Sequence, residues 1–380
     1  MSGAFQPGAV EEFRVRLGAD VVDDLRARLG RTRWPEEATT PGWSQGTPLA
    51  YAQGLCSYWA DGYDFAAAEA RLNRHAQFRA VVGGLGVHFV HVRSPRADAT
   101  PLLLTHGWPG SVVEFADVVG PLADPPPGAP AFHVVCPSLP GYGFSDKPAG
   151  PGWTVHRIAD AWAELMTRLG YARFIAQGHD WGTSVSTAIA QQHPDRVIGL
   201  HLVPPLAAPD PAGFDDLTDA ERRSLADLER AGAVEDGYSL EQSTRPQTIG
   251  YGLADSPAGQ CAWIIEKFWA WTDCDGHPEN ALSRDELLDN VSLYWFTNSS
   301  ASSARLYWES FNRPSRDRVE VPVGCSIFPK EIFRSSRRWA QRRFSDLRYW
   351  NELEKGGHFA AFEQPELYVD ELRSFFRLVR

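Results

Sequence analysis

The chain has 380 residues, which allow one large hydrophobic core with an insertion, or about two to three domains judged by length alone. Apolar residues make up 43% and charged residues 22% of it, the proportions of a soluble globular protein. The net charge of -11 argues against nucleic acid or an anionic membrane as a partner. Residues 1–7 lack the basic and apolar regions of a signal peptide, and no stretch approaches the roughly 18 apolar residues of a membrane span, so a cytoplasmic location is expected.

The five cysteines are odd in number, widely spaced and never in C-x-x-C spacing. They are Cys56, Cys136, Cys261, Cys274 and Cys325. This arrangement favours buried free thiols over a disulfide framework or a zinc site. We expect neither a metal nor a cofactor.

Residues 1–92 are predicted to form an N-terminal extension that runs into the first strands. An apolar stripe predicts a helix over residues 9–34, and a second helix is predicted over 66–75. From 78 to 92, Val and His residues alternate around a glycine-rich centre, which predicts a β-hairpin.

Residues 93–205 alternate short apolar runs with helical stretches. The runs predict strands over 102–104, 132–136, 173–176 and 197–200, and the periodic stretches predict helices over 158–169 and 183–192. This alternation indicates an α/β fold in which helices cover both faces of a mostly parallel sheet.

Residues 206–317 are helical in pattern and rich in aromatic residues, and a strand pattern resumes over 321–328. We therefore predict a helical cap inserted between two parts of one α/β core, with residues 318–380 as the second part. An insertion at this point lies over the carboxyl edge of the sheet, where α/β proteins bind ligands.

The segment Gly178-His179-Asp180-Trp181-Gly182 lies between a predicted strand and a predicted helix. Small residues at 178 and 182 let the backbone bend sharply, as in a nucleophile elbow, and Asp180 stands where most such elbows carry serine. A carboxylate in this position can attack carbon and form an ester. The alternative is that Asp180 only caps the following helix, a common use of aspartate.

An ester of Asp180 must be hydrolysed, which requires a base and an acid residue that orients the base. His358 lies in a glycine-containing loop near the C-terminus, and Glu331 follows the strand predicted over 321–328. The order nucleophile, acid, histidine is that of the α/β-hydrolase arrangement. The backbone N–H groups of Trp108 and Trp181 are candidates for an oxyanion hole, although Gly107-Trp108-Pro109 could also be a simple turn.

With these motifs, the chain resembles the epoxide hydrolases of the α/β-hydrolase superfamily, in particular the microsomal-type branch with an N-terminal extension. The resemblance runs over essentially the whole chain. The motifs that carry it are Arg33-Trp34-Pro35, Tyr58-Trp59, the segments 106–111 and 139–145, the Asp180 elbow, Phe328-Pro329-Lys330-Glu331 and the segment 356–361.

The resemblance implies that two cap tyrosines, Tyr238 and Tyr307, donate hydrogen bonds to the epoxide oxygen. It also implies a small-molecule epoxide and water as the only partners, with homodimerisation left open. The chain lacks the membrane anchor of some members and is in this respect similar to soluble bacterial and fungal ones. Glu331 stands where other members have Asp, which puts the rate in question.

Three other functions are compatible with parts of this motif set. A haloalkane dehalogenase also has Asp followed by Trp at the elbow, but it expels halide and needs no tyrosine donors. A serine esterase would need Ser at position 180. A ligand-binding homologue without activity would have lost a member of the triad, and none is missing. The aromatic-rich cap suits a bulky apolar or aryl epoxide, such as a natural-product intermediate or a xenobiotic.

Overall fold

The computed structural model describes residues 9–311, 315 and 317–380. The strands in this part of the chain are β1 (Val10–Phe13), β2 (Gln77–Val82), β3 (Leu85–Val92), β4 (Thr100–Thr105), β5 (Phe132–Pro137), β6 (Phe174–His179), β7 (Val197–Val203), β8 (Val319–Ile327) and β9 (Phe344–Glu352). They form one sheet in the order β1-β2-β3-β5-β4-β6-β7-β8-β9. The pairs β1-β2, β2-β3 and β3-β5 are antiparallel, and the pairs from β5 to β9 are parallel. The predicted mostly parallel sheet is confirmed.

In the described part of the chain, six α-helices precede β7. They are α1 (Ala19–Leu29), α2 (Leu49–Ser57), α3 (Phe65–Leu72), α4 (Ala116–Ala123), α5 (Val155–Arg168) and α6 (Trp181–Gln192). Helix α5 shows how the sequence defines such an element: the Thr154 hydroxyl accepts the N–H of Arg157 at its start, and Gly170 adopts φ +87° just past its end. Its buried face includes Ile158 and Trp162, which belong to the same apolar cluster as residues of the sheet.

Six further α-helices lie between β7 and β8 among the residues that the structure describes, and we call them the cap. They are α7 (Asp219–Val234), α8 (Gly237–Thr244), α9 (Pro246–Asp255), α10 (Pro257–Trp271), α11 (Arg284–Phe296) and α12 (Ser300–Ser310). The parallel strands β4, β6, β7 and β8 end beneath this insertion, so the side chains that follow those strands face the cap. The predicted domain boundaries at 92, 205 and 317 stay predictions.

The last helices are α13 (Arg337–Arg343), α14 (Ala360–Glu363) and α15 (Pro365–Phe376). Buried side chains of α5 and α6 belong to one apolar cluster, and those of α4 and α15 belong to a second. Helices therefore cover both faces of the sheet, as predicted. All five cysteines are free and buried, which confirms the expectation from their spacing. Within the described ranges, no helix is both long enough and apolar enough to cross a membrane.

The prediction of one helix over residues 9–34 is wrong in its first part. Val10–Phe13 is a strand that pairs with β2, and α1 begins only at Ala19. The free edge of the predicted hairpin offers backbone hydrogen bonds that the local sequence pattern does not reveal. The second predicted helix ends at Leu72 instead of 75, because the side chain of Asn73 binds the backbone of Val15.

Candidate active site

Asp180 lies in a tight turn between β6 and α6 with a positive φ of 52°. The flanking glycines make this turn possible: a Cβ on Gly178 would lie 1.9 Å from the carbonyl oxygen of Gly182, and one on Gly182 would lie 1.8 Å from that of Thr105. The side chain of Asp180 makes no capping hydrogen bond to α6. The carboxylate is therefore held out over the sheet, and the helix-capping alternative does not explain it.

The carboxylate of Asp180 has two different neighbours. Its Oδ1 accepts the backbone N–H of Trp108 at 2.7 Å, and its Oδ2 lies 3.5 Å from Nε2 of His358. Burial alone would raise the pKa of Asp180, but the bond to His358 and the N–H groups of Trp108 and Trp181 outweigh it and lower that pKa below the ordinary value. A Cβ on Gly107 would lie 2.0 Å from Oδ1, so glycine is required beside the carboxylate.

His358 and Glu331 form a buried pair beside Asp180. Nδ1 of His358 donates to Oε1 of Glu331 at 2.6 Å, and the same oxygen accepts the N–H of Ile332. A parallel bridge between Lys330 and Gly357 joins the two loops that carry the pair. Burial lowers the pKa of His358, but the charge of Glu331, the hydrogen bond to Glu331 and the nearby carboxylate of Asp180 raise it well above the ordinary value.

Tyr238 of α8 and Tyr307 of α12 reach down from the cap. The Tyr238 ring stacks on Trp108 with centroids 5.0 Å apart, and the Tyr307 ring meets Trp181 edge-on at 4.8 Å. The two tyrosine centroids are 5.8 Å apart. Burial, with a further contribution from the charge of Asp180, raises the pKa of both tyrosines, so both hydroxyls keep their protons and can donate. The structure thus brings all seven sequence-predicted site residues together.

Sequence reasoning missed the residues that hold the loop 108–111 in place. Nδ2 of Asn290 in α11 donates to the carbonyl of Pro109 at 2.8 Å, and the Ser111 hydroxyl donates to Oδ1 of the same asparagine at 2.7 Å. The Tyr294 hydroxyl donates to the carbonyl of Gly110 at 2.9 Å. The available signal was the pair Asn290 and Tyr294, four residues apart on a helix that is buried almost throughout.

The ammonium of Lys267 was also missed. Its Nζ lies 4.7 Å from the centre of the Tyr238 ring and 5.4 Å from that of Trp271, and it pairs with Glu266 at 2.6 Å. The side chain is only 6% exposed, so the aromatic faces replace part of its lost hydration. A single lysine within the aromatic stretch 261–271 was the signal in the sequence.

A second acid–histidine pair includes His179, the residue before Asp180. Nε2 of His179 is 2.7 Å from Oε2 of Glu114, and both side chains are buried. Oε1 of Glu114 accepts the N–H of Ser111. The pair therefore joins the end of β6 to the turn that follows Gly110. A Cβ on Gly110 would overlap the carboxylate of Glu114, so this position requires glycine.

The N-terminal extension binds α11 through buried polar groups. Arg71 of α3 donates two hydrogen bonds of 2.7 Å to the carboxylate of Asp289, and the Tyr63 hydroxyl donates a third at 2.5 Å. The indole N–H of Trp59 donates to the Ser292 hydroxyl at 2.9 Å. Since α11 also holds the loop that carries Trp108, the extension supports the site from outside.

Two family models match the chain. A model described as the epoxide hydrolase N terminus matches residues 10–115, and a model of the alpha/beta hydrolase fold matches residues 100–232. Together they cover the extension, the Trp108 loop and the Asp180 elbow.

A protein of Stigmatella aurantiaca, provisionally named an epoxide hydrolase, is 53% identical over 98% of this chain and 86% of its own length. Epoxide hydrolase 1 of Sus scrofa is 33% identical over 99% of this chain and 90% of its own. The crystal structure of juvenile hormone epoxide hydrolase from the silkworm Bombyx mori superposes with a TM-score of 0.90 at 31% identity, covering 99% of this chain and 96% of that one. The Aspergillus niger epoxide hydrolase structure gives 0.88 at 31%, covering 98% and 97%. The chain therefore belongs to the epoxide hydrolases and has their α/β-hydrolase fold.

Proposed function

We propose that this protein converts an epoxide into a vicinal diol through a covalent ester on Asp180. The observation that carries the proposal is the position of this carboxylate, between the His358–Glu331 pair on one side and two protonated cap tyrosines on the other. A nucleophile, a base and two hydrogen-bond donors meet at one turn, which is the set that epoxide hydrolysis in two steps requires.

In the first step, Oδ2 of Asp180 attacks a ring carbon while Oδ1 stays bound to the N–H of Trp108. The carbon–oxygen bond of the ring breaks, and its electron pair stays on the epoxide oxygen. Tyr238 and Tyr307 stabilise that oxygen by hydrogen bonds, and one of them transfers its proton to it and becomes a phenolate, because a free alkoxide is a poor leaving group. The lowered pKa of Asp180 keeps the nucleophile ionised.

In the second step, water attacks the ester carbonyl carbon and gives one proton to His358. Ester formation has by then removed the negative charge of Asp180, which is one of the two carboxylates that hold a proton on the imidazole. The pKa of His358 falls as a result, its proton passes to the phenolate left by the first step, and the neutral ring becomes a base. Glu331 stabilises the imidazolium, and the N–H groups of Trp108 and Trp181 stabilise the oxyanion. The bond between the ester carbonyl carbon and the diol oxygen then breaks, the diol oxygen takes the second proton of the water, and Asp180 returns as a carboxylate.

A bulky apolar or aryl epoxide is the proposed substrate class, from biosynthesis or detoxification. The supporting feature is the aromatic wall around the nucleophile, in which Trp263 and Trp271 both meet Trp108 edge-on at about 6 Å. Diol formation from styrene-type, aliphatic and trans-disubstituted epoxides, followed by chiral-phase chromatography, tests this class. Preference for short aliphatic epoxides would contradict it.

The covalent step is tested by a single turnover in heavy-oxygen water followed by mass spectrometry of the active-site peptide. Label is expected in Asp180 and not in the first-formed diol, because the diol oxygen comes from the aspartate. The peptide that contains Asp255, an exposed carboxylate of α9, serves as the matched control and should stay unlabelled. Label in the first diol would mean direct attack by water and would overturn the ester mechanism.

The proposal includes a cytoplasmic location, which is compatible with five free thiols because the cytosol keeps cysteines reduced. Cell fractionation tests the location.

A homodimer is a further option for the assembly, and light scattering of the purified protein distinguishes it from a monomer.

A further inference from the structure

Glu363, the last residue of α14, binds the loop that carries His358 although it takes no part in the chemistry proposed above. Its Oε1 accepts the N–H of Phe359 at 3.0 Å, and its Oε2 accepts the N–H of Gly357 at 3.1 Å. The same Oε2 accepts the N–H of Asp273 at 2.7 Å. One carboxylate therefore binds both neighbours of the histidine and the first residues beyond the cap helix α10.

Residues at the end of α10 also accept hydrogen bonds from the loop that carries His358. Oδ2 of Asp273 accepts the N–H of Gly356 at 3.0 Å, and the carbonyl of Trp271 accepts the N–H of His358 at 2.8 Å. The backbones approach so closely that a Cβ on Gly357 would lie 2.4 Å from the Trp271 carbonyl oxygen. All four N–H groups from 356 to 359 are thus bound, and the end of α10 supplies two of the acceptors. We call Glu363 and Asp273 the carboxylate clamp.

Helix α10 contacts the imidazole itself as well as its loop. The indole of Trp271 meets the His358 ring edge-on with centroids 5.2 Å apart, and Phe268 stacks on Phe359 at 4.2 Å. The groups of the first step lie on other elements: Asp180 is positioned by the elbow, and Tyr238 and Tyr307 belong to α8 and α12. Only the second step requires the His358 ring to point at the ester within a fraction of an ångström.

We propose that Glu363, together with Asp273, is a positioning residue for hydrolysis of the ester: the carboxylate clamp aligns His358 and couples that alignment to the position of the cap. The inference rests on the proposed covalent mechanism, because it assigns the clamp to the second half-reaction.

The charge of the clamp is sensitive to pH. Burial raises the pKa of Glu363 to about 7, and the negative charge of Glu331 also raises it. The hydrogen bonds from the N–H groups of Asp273 and Phe359 and the charge of His358 lower this pKa, but they do not outweigh burial. As the pH falls through the neutral range, Glu363 gains a proton and one of its oxygens becomes a donor. The N–H that this oxygen accepted is then left without a partner, and the loop is held less tightly.

Glu363→Gln tests the proposal, because glutamine keeps the shape and one acceptor oxygen but removes the charge. Quenched-flow sampling with intact-protein mass spectrometry follows formation and loss of the ester on styrene oxide. We expect alkylation within about threefold of wild type and ester hydrolysis slowed by roughly 10- to 10²-fold, the scale of a misaligned catalytic group. Glu366→Gln is the matched control, since Glu366 is exposed three residues further on.

A second variant keeps the test informative if Glu363→Gln folds poorly. Asp273→Asn weakens the clamp from the α10 side, and we expect a smaller slowing of the same step with an unchanged melting temperature. The pH profile of hydrolysis provides a readout that a purely structural role would not move: it should become less steep in Glu363→Gln, because only His358 still titrates.

The outcomes separate the two proposals. Wild-type protein that turns over without any ester would overturn the covalent mechanism and the clamp's role with it. Wild-type protein that forms the ester, together with clamp variants that hydrolyse it at the wild-type rate, would overturn the positioning role alone. Equal losses in both half-reactions with a lowered melting temperature would also overturn it, since the clamp would then only stabilise the fold.

Discussion

Removal of the two cap hydroxyls by Tyr238→Phe and Tyr307→Phe tests the proposed ring opening most directly. Both rings are packed face or edge against the tryptophans that flank Asp180, and Tyr307 is 2% exposed. Phenylalanine keeps these ring contacts and removes only the hydroxyl. Because each hydroxyl is worth about 1 kcal/mol or less to folding, the variants should fold normally.

The expected loss of activity follows from the geometry. Loss of one preorganised donor to a developing oxyanion slows a reaction by roughly 10- to 10³-fold. The two tyrosine rings are 5.8 Å apart, within the range where mutational effects do not add. In each single variant the remaining hydroxyl still binds the epoxide oxygen, so the double variant should lose more than the product of the single losses and nearly abolish alkylation.

Quenched-flow measurement of the alkylation rate constant on the four combinations gives the double-mutant cycle. Tyr251→Phe is the control, because Tyr251 lies in the same cap but is 70% exposed. An enzyme that expelled halide would keep most of its rate without these hydroxyls. A double variant that alkylates within threefold of wild type would refute the assignment of both tyrosines.

His358→Gln should form the ester and then stall, with turnover reduced on the order of 10²–10⁴-fold, and Glu331→Gln should stall less severely; absence of a trapped ester in His358→Gln would place the histidine in the first step. Asp180→Ala should form no adduct at all by mass spectrometry, and adduct formation would identify another nucleophile. Because the pKa of Asp180 lies below its ordinary 3.8, the alkylation rate should stay constant as the pH falls through the acidic range above that value, and a decline near pH 6 would contradict an ionised nucleophile. Arg71→Met should lower the free energy of unfolding by about 2–3 kcal/mol in denaturant titrations, because it leaves the buried Asp289 carboxylate without its cation; an unchanged midpoint would show that the extension does not stabilise the cap through this pair.

The local sequence was sufficient to predict the elbow at Asp180 and the parallel strands. The elbow at Asp180 could be predicted because glycine is required at 178 and 182 whatever surrounds the turn. The parallel strands could be predicted from their apolar runs, although β6 extends to His179 and β8 begins at Val319, beyond the predicted limits. The order of Asp180, Glu331 and His358 along the chain indicated the triad, since these residues follow strands that end at the same edge of the sheet.

Tyr238 and Tyr307 came from family resemblance and not from any local pattern, because a tyrosine on a cap helix has the same sequence signature whether it lies in the core or in the site. The tertiary structure decides this by directing both rings at the tryptophans beside Asp180. The strand at Val10–Phe13 is a similar case, since its hydrogen bonds come from β2, nearly seventy residues away.

The sequence by itself therefore determined the fold class and the candidate triad of Asp180, Glu331 and His358, because backbone sterics and hydrophobic periodicity act over a few residues. Tertiary structure alone decided which residues hold these groups in place. Asn290 binds the loop that carries Trp108, and the carboxylate clamp of Glu363 and Asp273 binds the loop that carries His358. These contacts join residues far apart in the chain, and each donor or acceptor has many equivalent partners in the sequence. Only the folded chain, in which every buried polar group needs a partner, selects among them.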